Sequence, residues 1–162
     1  MESTCIFSFT ATYSVDDGEG TGVDVVITAG SSDDEPCLVN LEFSRTFHPQ
    51  FYEHDFMQGL MKLLIEYCQP EHGYVASSTY RNAVVLRDED NQIIVEPVGW
   101  FTYVANPHAN DLLPADVERE VLPKGGVLIS LQQEFPSEDD PAAVAAAIRI
   151  RDALQTEDLL RF

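Results

Sequence analysis

Along three stretches of the first 43 residues, apolar and polar residues alternate one for one, and this period of two constrains the fold more than any other feature of the chain. In CIFSFTATYSV, Cys5, Phe7, Phe9, Ala11 and Tyr13 fall on one side, while Ser8, Thr10 and Thr12 fall on the other. GVDVVITAG repeats the pattern through Val23, Val25 and Ile27, and CLVNLEFS repeats it through Cys37, Val39, Leu41 and Phe43. Such alternation belongs to strands with one covered face. The segments between them, DDGEGTG and SSDDEP, carry turn residues. A three-stranded antiparallel meander is the expected result.

Beyond residue 52 the period lengthens. Phe56, Met57, Leu60, Met61, Leu64, Tyr67 and Cys68 recur at three and four residues, which predicts a helix over 52–68 with these residues on one face, ended by Pro70. GYVASSTYRNAVVL mixes signals, with its β-branched and aromatic residues favouring extended chain over part of it. IIVEPVGWFTYVA is a strand pattern interrupted at Pro97 and Gly99. GGVLISLQQ reads as a strand opened by a Gly pair. In FPSEDDPAAVAAAIRIRDALQ a second long helix begins, with Asp140 as N-cap, Pro141 at its first position, and Val144, Ala147, Ile148, Arg151 and Leu154 at helical spacing. The fold class expected is α+β: one domain over residues 1–162, with a largely antiparallel sheet of about five to seven strands and two main helices packed on it.

Charge excludes several functions. The 162 residues hold 28 Asp and Glu against 9 Lys and Arg, a net charge of −19. Such a surface repels nucleic-acid phosphate and anionic lipid, and attracts basic partners over a Debye length of ~8–10 Å. Direct nucleic-acid or membrane binding is therefore not expected. Cys5, Cys37 and Cys68 form no CxxC pair and read as reduced thiols buried as small apolar residues. The N-terminus MESTCIFSFTATY lacks a basic region, so a cytoplasmic protein without a leader is expected.

No motif for chemistry emerges. His48, His54, His72 and His108 match no HExxH or short zinc spacing, and no GxSxG elbow is present. DDGEGTG is acidic and would repel a phosphate. No cofactor, metal or catalytic residue is expected. The acidic runs are the candidate partner contacts: Asp16, Asp17 and Glu19; Asp33, Asp34 and Glu35; and Asp88, Glu89 and Asp90. Each lies in an expected turn, where solvation alone would account for it. Together they would also suit a basic protein partner. Glu138, Asp139 and Asp140 instead open the second helix and complement its dipole.

VGWFTYVANPHANDLLP contains the only Trp. Strand alternation would put Trp100 and Thr102 on one face and Phe101 and Tyr103 on the other, so both faces should be covered and these aromatics should be packing residues. Gly99-Trp100 with Thr102-Tyr103, Leu113-Pro114, Gly125-Gly126-Val127-Leu128-Ile129, Asp140-Pro141 with its Ala-rich helix, and Leu159-Leu160 resemble the bacterial immunity protein 52 family. The likeness covers the C-terminal portion, with Gly99, Trp100, Thr102, Tyr103, Pro114, Gly125 and Gly126 as its structural signature.

What the resemblance implies is a non-catalytic protein that binds and neutralises a cognate toxin. In that family the toxins include type VI secretion effectors with a restriction-endonuclease-like nuclease domain. A basic nuclease domain is then the expected partner. The competing expectations are a small cytoplasmic hydrolase using Asp, Glu and His in a cleft, and an acidic effector adaptor or chaperone.

Overall fold

A computed structural model describes residues 9–16, 22–29, 38–43 and 49–160. Contacts divide the chain into two compact units, Met1–Phe51 and Tyr52–Phe162.

The first unit contains β1 (Phe9–Asp16), β2 (Gly22–Ala29) and β3 (Leu38–Phe43), hydrogen-bonded antiparallel in the order β1-β2-β3. The register places Ala11 opposite Ile27 and Ile27 opposite Val39, with Tyr13, Val25 and Leu41 in the next row of the same parity. Alternation thus sets the pairing, because slipping by one residue would exchange the apolar and polar rows. The meander stands as expected. Cys5, Phe7 and Cys37 lie outside the described residues.

The second unit is built on a four-stranded antiparallel sheet in the order β4-β7-β9-β8. Its strands are β4 (His72–Val75), β7 (Phe101–Val104), β9 (Val127–Ser130) and β8 (Glu118–Val121). A two-stranded ribbon joins β5 (Leu86–Arg87) to β6 (Ile93–Val95). The class is α+β with antiparallel strands, and the described strands fall into three sheets.

Both faces of the central sheet are covered. All four residues of β7 and all four of β9 are buried. On the face carrying Gly73, Phe101 and Ser130 lies α1 (His54–Cys68), whose buried row is Met57, Met61 and Ile65. Met61 Cε stands 3.9 Å from where a Cβ on Gly73 would sit. The opposite face presents Val104, Val127 and Ile129 to α4 (Pro141–Gln155), which contributes Ala143, Ala147, Ile150 and Leu154. Tyr80 and Val84 of α2 (Ser78–Val84), with Val95, Val98, Leu113 and Leu160, complete that core.

Local chemistry fixes the helix ends. Asp140 Oδ1 accepts from the backbone N–H groups of Ala142 (3.0 Å) and Ala143 (3.2 Å), with Pro141 at the first turn. Ser77 Oγ caps α2 by accepting from Tyr80 N at 3.1 Å. Each cap contributes about 1 kcal/mol. α1 ends where Gln69 turns left-handed, φ 49°, its N–H bonded to Ile65 O, just ahead of Pro70.

Three details depart from expectation. Tyr67 and Cys68 are exposed, and Ile65 takes their place in the buried row of α1. β8 and α3 (Ala109–Leu112) occupy residues for which the sequence pattern predicts no helix or strand. The ambiguous segment resolves into β4, α2 and β5, a strand, a capped helix and a strand.

Burial has a consequence for alkaline stability. It pushes Tyr80, whose hydroxyl donates to Ala143 O at 3.3 Å, above its ordinary pKa, with the Asp140 charge adding to the rise. Tyr74 and Tyr103 are also raised, foremost by burial. Tyrosines of the unfolded chain ionise near pH ~10. Above that pH the unfolded state binds fewer protons than the folded one, so stability is full below pH ~10 and falls as pH rises. Tyr80→Phe should cost about 1 kcal/mol at pH 7 for the lost hydrogen bond and should flatten the alkaline decline. Urea midpoints measured across the alkaline range check both effects.

Candidate partner-binding surface

Gly99 and Trp100 sit at the entry to β7. Gly99 N donates to Thr102 Oγ1 at 2.9 Å, and Trp100 N donates to Val75 O at 2.7 Å. Any side chain on Gly99 would run into the Val75 carbonyl, so a residue without Cβ is required there. Trp100 is wholly buried. Its Nε1 donates to Gln132 O at 2.9 Å, and its ring lies 5.1 Å from Phe101 and 5.2 Å from Phe135, centroid to centroid. The indole therefore clusters with Phe101 rather than across the sheet with Thr102. The strand begins only at Phe101, and the bend before it redirects the ring.

The remaining signature residues shape two turns. Gly125 N donates to Leu122 O (2.9 Å), Leu122 N donates to Gly126 O (2.8 Å), and Gly125 has φ 95°, so LPKGG is the hairpin between β8 and β9. Tyr103 lies where a Cβ on Gly126 would be. Pro114 O accepts from Val117 N and from Arg119 Nη1 at 2.9 Å, closing the turn into β8.

Two groupings resemble catalytic machinery and lack its geometry. His54 Nε2 is 2.8 Å from Ser130 Oγ, and His54 Nδ1 is 3.4 Å from Asp55 Oδ1. Ser130 is only 3% exposed, held in β9 beneath α1, where no substrate carbonyl reaches it. Asp55 is fully exposed and gives the imidazole no buried, orienting partner. The second grouping is Glu96, 4% exposed, whose Oε1 lies 3.6 Å from His72 Nε2. Its backbone N–H donates to Leu160 O at 2.8 Å, and Oε2 has no hydrogen-bond partner. Glu96 also helps raise the Tyr74 pKa, a rise that Arg81 opposes. A cavity of about 340 Å³ is lined by Arg81, Arg87, Asn91, Gln92 and Ile93, with no carboxylate or imidazole. Among the described residues no group of three or more His, Cys, Asp or Glu is placed to hold a metal, and no helix is long and apolar enough to cross a membrane.

The acidic candidates divide. Asp17, Glu19, Asp33, Asp34 and Glu35 lie outside the described residues, and Asp16 ends β1 opposite Gly22. Asp88, Glu89 and Asp90 are brought together in the exposed turn of the β5–β6 hairpin. There Asp88 Oδ1 accepts from Asp90 N (3.0 Å) and Gln92 N (2.8 Å), so its carboxylate builds the turn. Glu89 and Asp90 are left as the outward charges of that hairpin.

Sequence reasoning missed an apolar surface feature. Leu63 and Tyr67, one turn apart on α1, are 52% and 76% exposed. Periodicity counted Tyr67 among the apolar positions of the helix and passed over Leu63, and it carried no sign of which positions the sheet would leave uncovered.

No curated protein matches the chain in sequence. The family model for immunity protein 52 matches residues 6–162, which extends the likeness from the signature strands through the N-terminal meander. With that match, the chain belongs to the immunity protein 52 family.

Proposed function

We propose that this protein protects its producer by binding and neutralising a secreted nuclease-type toxin, delivered by type VI secretion, and that it does so in the cytoplasm without catalysis. The family match over residues 6–162 carries the immunity reading. The net charge of −19 narrows the partner. A nuclease needs a basic surface for phosphates, and an acidic inhibitor both associates quickly with that surface and competes with DNA for it. In this reading the acidic turns steer the encounter: Asp16, Asp17 and Glu19; Asp33, Asp34 and Glu35; and Glu89 with Asp90.

Binding kinetics with an inactivated nuclease-type toxin domain of the cognate effector test the proposal. The association rate should fall about tenfold as ionic strength rises from ~0.05 to ~0.5 M, because screening removes the steering. Glu89→Lys with Asp90→Lys should slow association while leaving the fold intact, since exposed turn residues contribute little stability. Asp88 is left unchanged in this variant because its carboxylate holds the turn. Absence of binding contradicts the immunity reading. Binding at a rate indifferent to salt contradicts the electrostatic mechanism alone.

A further inference from the structure

We propose that the outward face of α1 is the toxin-docking surface, with Tyr67 and Leu63 as apolar anchors and Gly59 as the point where the partner's backbone comes closest. The inference rests on the immunity reading above and deepens it by placing the contact.

Successive residues of a helix are ~100° apart, so the row Met57, Met61 and Ile65 turned to the sheet leaves Asp55, Gly59, Leu63, Glu66 and Tyr67 outward. All five are exposed. Isolated exposed apolar residues need no explanation. Here, however, Gly59, Leu63 and Tyr67 form one continuous row at four-residue spacing. Among residues other than Pro, Gly is the least favourable inside a helix. The space above Gly59 is open, with no atom within 4 Å of an added Cβ, so packing within the protein does not require it. A helix that spends its middle on an exposed Gly beside two exposed apolar side chains is shaped for close approach by something else.

The rim states what kind of partner fits. Asp55 and Glu66 flank the row. Lys62, the only Lys or Arg of α1, has its Nζ 2.6 Å from Glu120 Oε2 of β8, so its charge is already paired. An apolar centre anchored by an exposed Tyr and flanked by two carboxylates, Glu66 and Asp55 (the latter 3.4 Å from His54 Nδ1), matches a partner with an apolar recess in a basic surface. The basic, nucleic-acid-facing surface of a nuclease has that chemistry.

The test uses the full chain and an inactivated nuclease-type toxin domain of the cognate effector. Tyr67→Ala, Leu63→Ser and Gly59→Gln are compared with Ile94→Ser, which removes an exposed apolar residue from β6. Tyr67→Ala and Gly59→Gln should each weaken Kd about tenfold or more, mainly through faster dissociation, while Ile94→Ser binds like the wild type. Melting temperatures should hold, and that of Gly59→Gln should rise, since Gln is the better helix former. A variant that gains stability while losing affinity has no explanation in a merely structural role. Unchanged affinity in all three α1 variants overturns the inference and leaves the immunity reading standing. So does a fall in melting temperature for Tyr67→Ala and Leu63→Ser, or a wild-type dimer in sedimentation that Tyr67→Ala dissociates. If the wild-type protein fails to bind the domain, the immunity reading fails and this inference goes with it.

Discussion

Trp100→Ala is expected to destabilise the protein by about 3–5 kcal/mol, the range for truncating a fully buried aromatic. The indole is enclosed by Phe101, Phe135 and the His54 ring, at centroid distances of 5.1, 5.2 and 6.0 Å. Truncation opens a cavity there and also leaves Gln132 O without the Nε1 donor that lies 2.9 Å away. Trp100→Phe should cost less, because a ring remains and only part of the volume and the single hydrogen bond are lost. Urea unfolding followed by circular dichroism suits this comparison, since the only tryptophan is the residue replaced. Loss of partner binding at an unchanged melting temperature would contradict the assignment of Trp100 to the core and make it a contact residue.

Gly99→Ala should be nearly as damaging, on the order of 3 kcal/mol, at the upper end for overpacking. The added methyl meets the Val75 carbonyl, a backbone atom that also accepts the Trp100 N–H and cannot move without breaking that bond. Gly59→Ala supplies the internal contrast. That methyl enters open space, so the substitution should stabilise the helix by about 0.5–1 kcal/mol. The same chemical change is therefore predicted to have opposite signs at two glycines of one chain. Thermal and urea unfolding of the pair measure it, and a tolerated Gly99→Ala would contradict the close approach of β4 to the β7 entry.

These two glycines also show what the sequence could and could not disclose. Period-two alternation was enough to expect β1, β2 and β3 as an antiparallel meander, and the structure supplies the register, in which any slip would misplace whole apolar rows. Asp140-Pro141 announced the start of α4, since capping chemistry is local. β8 gave no such sign. Glu118-Arg119-Glu120-Val121 is an edge strand whose alternation carries charge rather than apolar side chains, and pairing with β9 is what makes it a strand. α2 is seven residues long and ends in Val84, so its β-branched tail concealed the Ser77 cap. The position of the Trp100 ring depends on a bend at Trp100 itself, which strand periodicity ignores.

The candidate surface was less legible for a related reason. Periodicity grouped the apolar residues of α1 on one side, but their arc is wider than the sheet covers. Tertiary packing decides that Ile65 is buried and Tyr67 exposed. Composition identified the acidic turns as a set, yet only the hydrogen bonds of Asp88 distinguish a turn-forming carboxylate from the free charges of Glu89 and Asp90. The contact between His54 and Ser130, 76 residues apart, depends entirely on how α1 lies on β9.

Titration of DNA cleavage tests the central claim most directly. Increasing amounts of this protein are mixed with a fixed amount of the active toxin proposed as its partner, a nuclease-type domain of the cognate effector. For neutralisation by binding, cleavage should fall linearly to zero at a fixed, near-equimolar ratio. The toxin should regain activity when the complex is dissociated. Protection by far less than one equivalent, or a toxin left permanently altered after separation, would contradict the account, because either result means that this protein turns over a substrate rather than occupying a partner.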